Sequence, residues 1–155
     1  MILWRISRRK TLDGIGGLLA SARWHTKGHR VVYLAETPAG AVTEVLVHLE
    51  VDPLNPPNGL KLLKVATVPV PKVTTGAVPI ENVEVSVLPA DWKEDKTVTR
   101  SIGDEWLASL RSPLLRVPSV IVRETFNVLL NPEHPDAPSI VILWADDFSF
   151  DDRLL

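Results

Sequence analysis

Apolar positions recur along the chain with two periods, and each change of period marks a new element. Near the start, LWRIS (residues 3–7) alternates apolar and polar side chains, the period of a half-buried strand. DGIGGLLASA follows, and Gly14, Gly16 and Gly17 predict a loosened, flexible loop there. HRVVYLAE (29–36) predicts a strand bounded by Gly28 and by Thr37-Pro38. From Pro38 the spacing becomes helical: Ala41, Val42, Val45, Leu46 and Leu49 share one face of a helix over 38–50. Thr37 suits the N-cap and Pro38 the first turn. Glu44 stands beside the apolar stripe, one turn before His48.

DPLNPPNG (52–59) is a turn-rich break. LKLLKVATVPV (60–70) and IENVEVSVLP (80–89) predict two strands, the second carried by Ile80, Val83, Val85 and Val87, with PKVTTGAVP (71–79) connecting them. Residues 91–96 are charged and expected at the surface. Ser101 with Asp104 resembles a cap, predicting a short helix over 102–111. LLRVPSVIVRETFNVLL predicts one or two strands, NPEHPDAP a turn, SIVILWADD a buried strand, and FSFDDRLL a tail with some strand character. Strands outnumber helices without alternating regularly with them. The expected class is therefore α+β, a mixed, mainly antiparallel sheet with a few helices, in a single domain over residues 1–155.

Composition narrows the function. With 155 residues, 45% apolar and 23% charged, the chain can bury a proper core. A net charge of −2 argues against direct nucleic-acid binding, which usually leaves a basic surplus. The absence of cysteine excludes disulfides, thiolate catalysis and cysteine zinc sites. No stretch approaches the ~20 apolar residues of a membrane helix, and the start has no signal-peptide core, so no membrane association and a cytoplasmic location are the expectation.

Taken singly, the candidate residues are unremarkable chemically. The glycine cluster lacks the G-K-[ST] and the strand–turn–helix frame of a phosphate loop. His25 and His29 flank Gly28 without an H-E-x-x-H pattern, and His134 sits in a proline-rich turn, so no metal site is expected. Ser119 in VPSVIV has no G-x-S-x-G elbow.

Their order changes the picture. WRIS, GIGG, ARWHTKGHRVVYLAET, AVTEVLVHLE and RVPSVIVRETFNVLLNPEHPD together resemble the RES domain family, over nearly the whole chain from Arg5 to FSFDDRL. The most specific blocks are RW-x-x-x-G-x-x-V-x-Y and PS…N-x-x-LNP-x-HPD. The resemblance implies the toxin half of a bacterial Xre–RES toxin–antitoxin pair, with an ADP-ribosyltransferase-like fold. The family's Arg, Glu and Ser fall on Arg23, Glu44 and Ser119, and its tyrosine on Tyr33. The chain departs from the pattern at Ser21-Ala22 (two glycines in the family), His25 (asparagine) and Arg123 (proline).

What the resemblance implies is attack on NAD+ as substrate, without a further cofactor: cleavage of the nicotinamide–ribose bond, with water, phosphate or a protein side chain as acceptor. The residue types suit this. Arg23 offers a planar, permanently charged fork for the pyrophosphate, with Arg5 and Lys27 as helpers. Tyr33 would stack on the nicotinamide ring. Glu44 would meet positive charge developing on the ribose or hydrogen-bond the ribose hydroxyls, and Ser119 would orient the substrate by hydrogen bonding and need not be a nucleophile. Asn127 and His134 would shape the rim or hold the last turn. The implied partner is an Xre-type helix-turn-helix antitoxin in a hetero-oligomer. Two alternatives stay open: ADP-ribosylation of a protein target, and a weakly active subunit serving mainly as antitoxin-binding co-repressor, suggested by the departures around Arg23.

Overall fold

A computed structural model describes residues 1–49, 57–69 and 76–155. Most of the 52–59 break and of the 71–79 connection lies outside the described residues. The strands are β1 (Ile2–Ser7), β2 (Val32–Ala35), β3 (Lys61–Thr67), β4 (Ile80–Asn82), β5 (Leu114–Pro118), β6 (Phe126–Leu130) and β7 (Ile140–Asp147). They form one sheet in the order β4-β5-β6-β2-β1-β3-β7. Only β4–β5 is parallel; the other neighbours are antiparallel, so the α+β reading with a mainly antiparallel mixed sheet holds. Among the described residues three α-helices complete the fold: α1 (Ile15–Leu19), α2 (Pro38–His48) and α3 (Thr97–Ser109). None among the described residues is long and apolar enough to cross a membrane.

Strand alternation divides the side chains between two faces. On one face Leu3, Val32, Leu34, Leu63, Val65, Leu114, Val128 and Leu130 build a fully aliphatic core. On the other, two clusters lie side by side. Ile6, Ala35 and Trp4 meet the apolar stripe of α2, while Leu115, Val117 and Leu129 meet Trp24, Trp92 and Trp106 around α3. β1 joins β2 through the single pair Trp4↔Ala35, whereas β1 and β3 are paired along six residues. The sheet is thus narrowly joined at its middle, and α2 packs across that junction on both β1 and β2.

α2 begins as its sequence predicts, with Thr37 Oγ1 accepting from the Gly40 N–H at 3.0 Å. α3 starts five residues earlier than Ser101 suggests. The acid ahead of it is Asp95, which accepts from the Thr97 N–H at 2.8 Å, while Asp104 accepts from Thr26 N–H instead. The 80–89 strand is cut short. Val83 still donates to Arg116 O, but the chain then turns into a 3₁₀ helix at Val85–Val87 and leaves both valines exposed, with no sheet neighbour among the described residues. β7 is an edge strand with Leu143 exposed, so it is half-covered rather than buried. The tail forms a 3₁₀ turn at Asp152–Leu154, not a strand, with Phe150 buried.

The glycine cluster is packed rather than loose. Gly14 adopts φ +68°, and a Cβ on Gly17 would stand 2.2 Å from His29 O, so both glycines permit the 28–31 segment to lie against α1. Gly103 plays the same part on α3, where a Cβ would fall 1.6 Å from Trp24 O. Gly103→Ala is expected to push the 22–26 segment off α3 and destabilise the fold by roughly 2 kcal/mol or more. At ~2–4 °C per kcal/mol for a chain of this size, a thermal melt would show a drop of about 4–8 °C.

Candidate active site

α2, the end of β2 and the β5–β6 hairpin enclose a small pocket of about 160 Å³, lined by Glu36, Thr37, Thr43, Glu44, Ser119 and Asn127 and rimmed by Glu124 and Phe126. Glu44 reaches it from the second turn of α2, on the side of the helix next to its apolar stripe. Its Oε1 accepts two hydrogen bonds, from Asn127 Nδ2 at 2.7 Å and Ser119 Oγ at 3.1 Å. No hydrogen bond falls on Oε2 among the described residues. The carboxylate is therefore fixed in orientation through one oxygen while the other stays available to a ligand. Ser119 follows β5 and is buried; its Oγ also accepts from the N–H groups of Ile121 and Val122, at 3.2 and 3.4 Å. With its one proton directed to Glu44, the hydroxyl acts as a holder of that carboxylate.

Arg23 approaches from the loop that precedes β2. Its Nη1 and Nη2 donate to Trp92 O and Lys93 O at 2.8 and 2.7 Å, and its guanidinium lies 5.9 Å from the Trp92 ring centre. Of the five N–H donors of a guanidinium, three remain for other partners. Burial lowers the Arg23 pKa, opposed by Glu94 and then by Glu44, whose charge is near enough to bear on it. α3 holds this loop from beneath: Thr99 Oγ1 donates to Arg23 O at 2.7 Å, and Arg100 Nε to Ala22 O at 2.9 Å.

Tyr33 is half-buried against the tryptophan cluster, and its hydroxyl is engaged at both lone pair and proton. His25 explains how. Its Nε2 lies 2.9 Å from Ala20 O, which can only accept, so Nε2 carries the proton and Nδ1 accepts from Tyr33 Oη at 2.8 Å. The Trp24 N–H donates to the same Oη at 3.3 Å. Burial pushes the Tyr33 phenol up and the His25 imidazole down.

The structure brings Glu44, Ser119 and Asn127 into direct contact and sets Arg23 and Tyr33 on the same side of the sheet. Arg5 is apart from them. It alternates with Trp4 and so shares the face of Leu3, where its Nη1 donates to Thr11 O at 3.3 Å. Lys27 is exposed, with its backbone N–H on Ser21 Oγ. His134 is buried within the last turn, its Nδ1 accepting from Asp136 N–H at 3.0 Å. Sequence reasoning passed over Glu36, Thr37, Thr43 and Glu124 as pocket residues. The strand–helix corner at Glu36-Thr37-Pro38 was the available signal, because pockets gather where strands end beside a helix start.

The RES domain model matches residues 2–152, and the chain belongs to that family. It is 42% identical over 154 residues to "Toxin Res" of Pseudomonas putida, covering 99% of each chain. It is 33% identical over 164 residues to the "Prs ADP-ribosylating toxin" of a Sphingobium species, covering 98% of this chain and 95% of the relative. In fold it is similar to a chain of the M. tuberculosis MbcT–MbcA toxin–antitoxin complex, with a TM-score of 0.72 at 13% identity, over 96% of this chain and 84% of that one.

His25 gives a prediction with a definite sign. Its folded pKa lies below the ordinary 6.5, so the unfolded chain binds more protons as the pH falls through that value. The His25 contribution is complete above about pH 7 and is lost progressively as the pH drops below 6.5. In urea melts between pH 8 and 5, His25→Asn should show a shallower loss of stability with acid than the wild type. Equal slopes would show that the imidazole takes up its proton in place.

Proposed function

We propose that the protein is the toxin of a toxin–antitoxin pair and that it cleaves the nicotinamide–ribose bond of NAD+. The observation that supports this most is the Glu44 carboxylate, held through Oε1 by Ser119 and Asn127 with Oε2 left to the pocket. Breaking the bond between ribose C1′ and the pyridinium nitrogen sends its electron pair to that nitrogen. Nicotinamide leaves neutral and needs no general acid. Positive charge builds on C1′ and the ring oxygen, as in other oxocarbenium-like reactions.

Glu44 Oε2 meets that charge as it forms, and a fixed carboxylate stabilises it more than the ground state. Water adding to C1′ gives ADP-ribose and releases one proton to solvent. Arg23, with its remaining donors, takes the pyrophosphate. Asn127 and Ser119 keep the carboxylate from turning away and from reorganising during the reaction.

Transfer of the ADP-ribosyl group to a protein is the second reading, favoured by the name of the Sphingobium relative. Chemistry at C1′ is the same in both, and only the acceptor differs. An antitoxin partner is supported by the complex in which the structural neighbour was solved. The Xre type rests on the family resemblance.

Glu44→Ala should lower NAD+ consumption by about 10²–10³-fold, the range for losing one transition-state electrostatic contact, with the fold preserved. Asn127→Ala should lower it less, by roughly 10-fold, since Ser119 still holds Oε1. Nicotinamide release with free ADP-ribose marks the hydrolase; label transfer from NAD+ to protein marks the transferase. A folded Glu44→Ala protein that consumes NAD+ at the wild-type rate would overturn the assignment.

A further inference from the structure

Tyr33 is a phenol whose hydroxyl is already engaged by the protein. Its proton goes to His25 Nδ1 at 2.8 Å, and the Trp24 N–H donates to its oxygen at 3.3 Å. His25 has no freedom to turn away. It is buried, its Nε2 donates to Ala20 O at 2.9 Å, and its own carbonyl accepts from the Ala22 N–H at 3.1 Å. The two rings stand 5.6 Å apart at 50°. Strand pairing fixes where the phenol lies. Tyr33 is opposite Leu129 and Ala35 is opposite Asn127, so alternation puts Tyr33 on the face of Asn127, diagonally beside the residue that bonds Glu44. Arg23 is close enough to Tyr33 that each bears on the other's ionisation.

We infer that His25 is a positioning residue for substrate binding: by taking the Tyr33 proton it locks the phenol in place, so that Tyr33 meets the substrate through its ring and not its hydroxyl. The inference rests on the reading of Glu44 and NAD+ above. The ring that NAD+ carries on C1′ is a pyridinium, flat and positively charged. A tyrosine face on the Glu44 side of the sheet suits it as a stacking and cation–π surface. The nicotinamide that leaves is neutral and loses the charged part of that attraction. A free phenol has to be ordered when substrate binds, whereas an anchored one is ordered beforehand. The asparagine of the family pattern carries a carbonyl oxygen on its γ carbon, where histidine carries Nδ1, and can accept the same proton. Position 25 therefore needs an acceptor, not an aromatic ring.

The test compares the wild type with His25→Asn, His25→Phe, Tyr33→Phe and the double variant His25→Phe/Tyr33→Phe. Thermal melts establish which are folded at the assay temperature, and NAD+ turnover gives kcat and KM. His25→Phe and Tyr33→Phe each remove one buried hydrogen bond and should each raise KM roughly 3–10-fold, with kcat changed less than about twofold. The double variant should raise KM no further than either single one, because both remove the same bond. His25→Asn should stay within about twofold of the wild type. A packing role alone predicts the reverse order, with His25→Phe tolerated and His25→Asn not, and that order overturns the inference. Additive effects overturn it too, since they mean that the Tyr33 hydroxyl touches the substrate itself. If His25→Phe does not fold, Tyr33→Phe and His25→Asn decide: KM must rise in the first and not in the second. A wild type that binds NAD+ but neither consumes it nor transfers ADP-ribose overturns the functional reading instead. NAD+ affinities measured by calorimetry then rank the same variants in place of KM. A wild type that does not bind NAD+ overturns both.

Discussion

A carboxylate on the sheet-facing side of a helix has to be met by hydrogen-bond donors, and this fold meets Glu44 with two on one oxygen. Those donors lie 75 and 83 residues further along the chain. The pair of bonds ties α2 to the β5–β6 hairpin across the narrow join between β1 and β2. Other features of the site follow from it. Ser119 is oriented by its own hairpin amides, Asn127 by its place in β6 opposite Ala35, and Glu44 by the capped start of α2. Asn127 lies within β6 and Ser119 directly follows β5, so both holders are tied to the sheet.

Arg23 and Tyr33 are positioned by a different device. The loop from Ser21 to Thr26 has little regular structure of its own, yet α3 holds its carbonyls and amides through Thr99, Arg100 and Asp104. Gly103 lets helix and loop backbones approach where a methyl group would collide. His25 then fixes the Tyr33 hydroxyl by accepting its proton in a buried hydrogen bond. The departure from the family pattern at His25 thus has a structural role of its own beneath the site. Ser21 likewise serves the loop, its Oγ accepting from Lys27 N–H. Ala22 serves through its backbone, in the bridge to His25 and as the acceptor for Arg100 Nε.

The two faces of the sheet divide the work. The aliphatic face is almost wholly packing, with the Arg116–Glu36 ion pair at its end. The α2–α3 face carries the polar groups of the site between two apolar clusters, one under each helix. A cleft between two separately packed clusters keeps its walls apart.

Much of this was legible in the chain itself, because periodicity and capping are local. The alternation of LWRIS, the apolar stripe of 38–49 and the Thr37-Pro38 start each act over a few residues, and each appears in the structure. The ordered blocks around Arg23, Glu44 and Ser119 were enough to point to the RES family, which the match over residues 2–152 bears out. Tertiary contacts decided the rest. Val85 and Val87 alternate like a strand but find no neighbouring strand among the described residues, and they form an exposed 3₁₀ turn. Gly14 and Gly17 look like flexibility in one dimension and are close approaches in three. Arg5, near in pattern to Arg23, falls on the opposite face because strand geometry sends successive side chains to opposite sides. The pairing of Glu36 with Arg116 spans 80 residues. No local rule encodes such a meeting; it exists only once the strands have chosen their order.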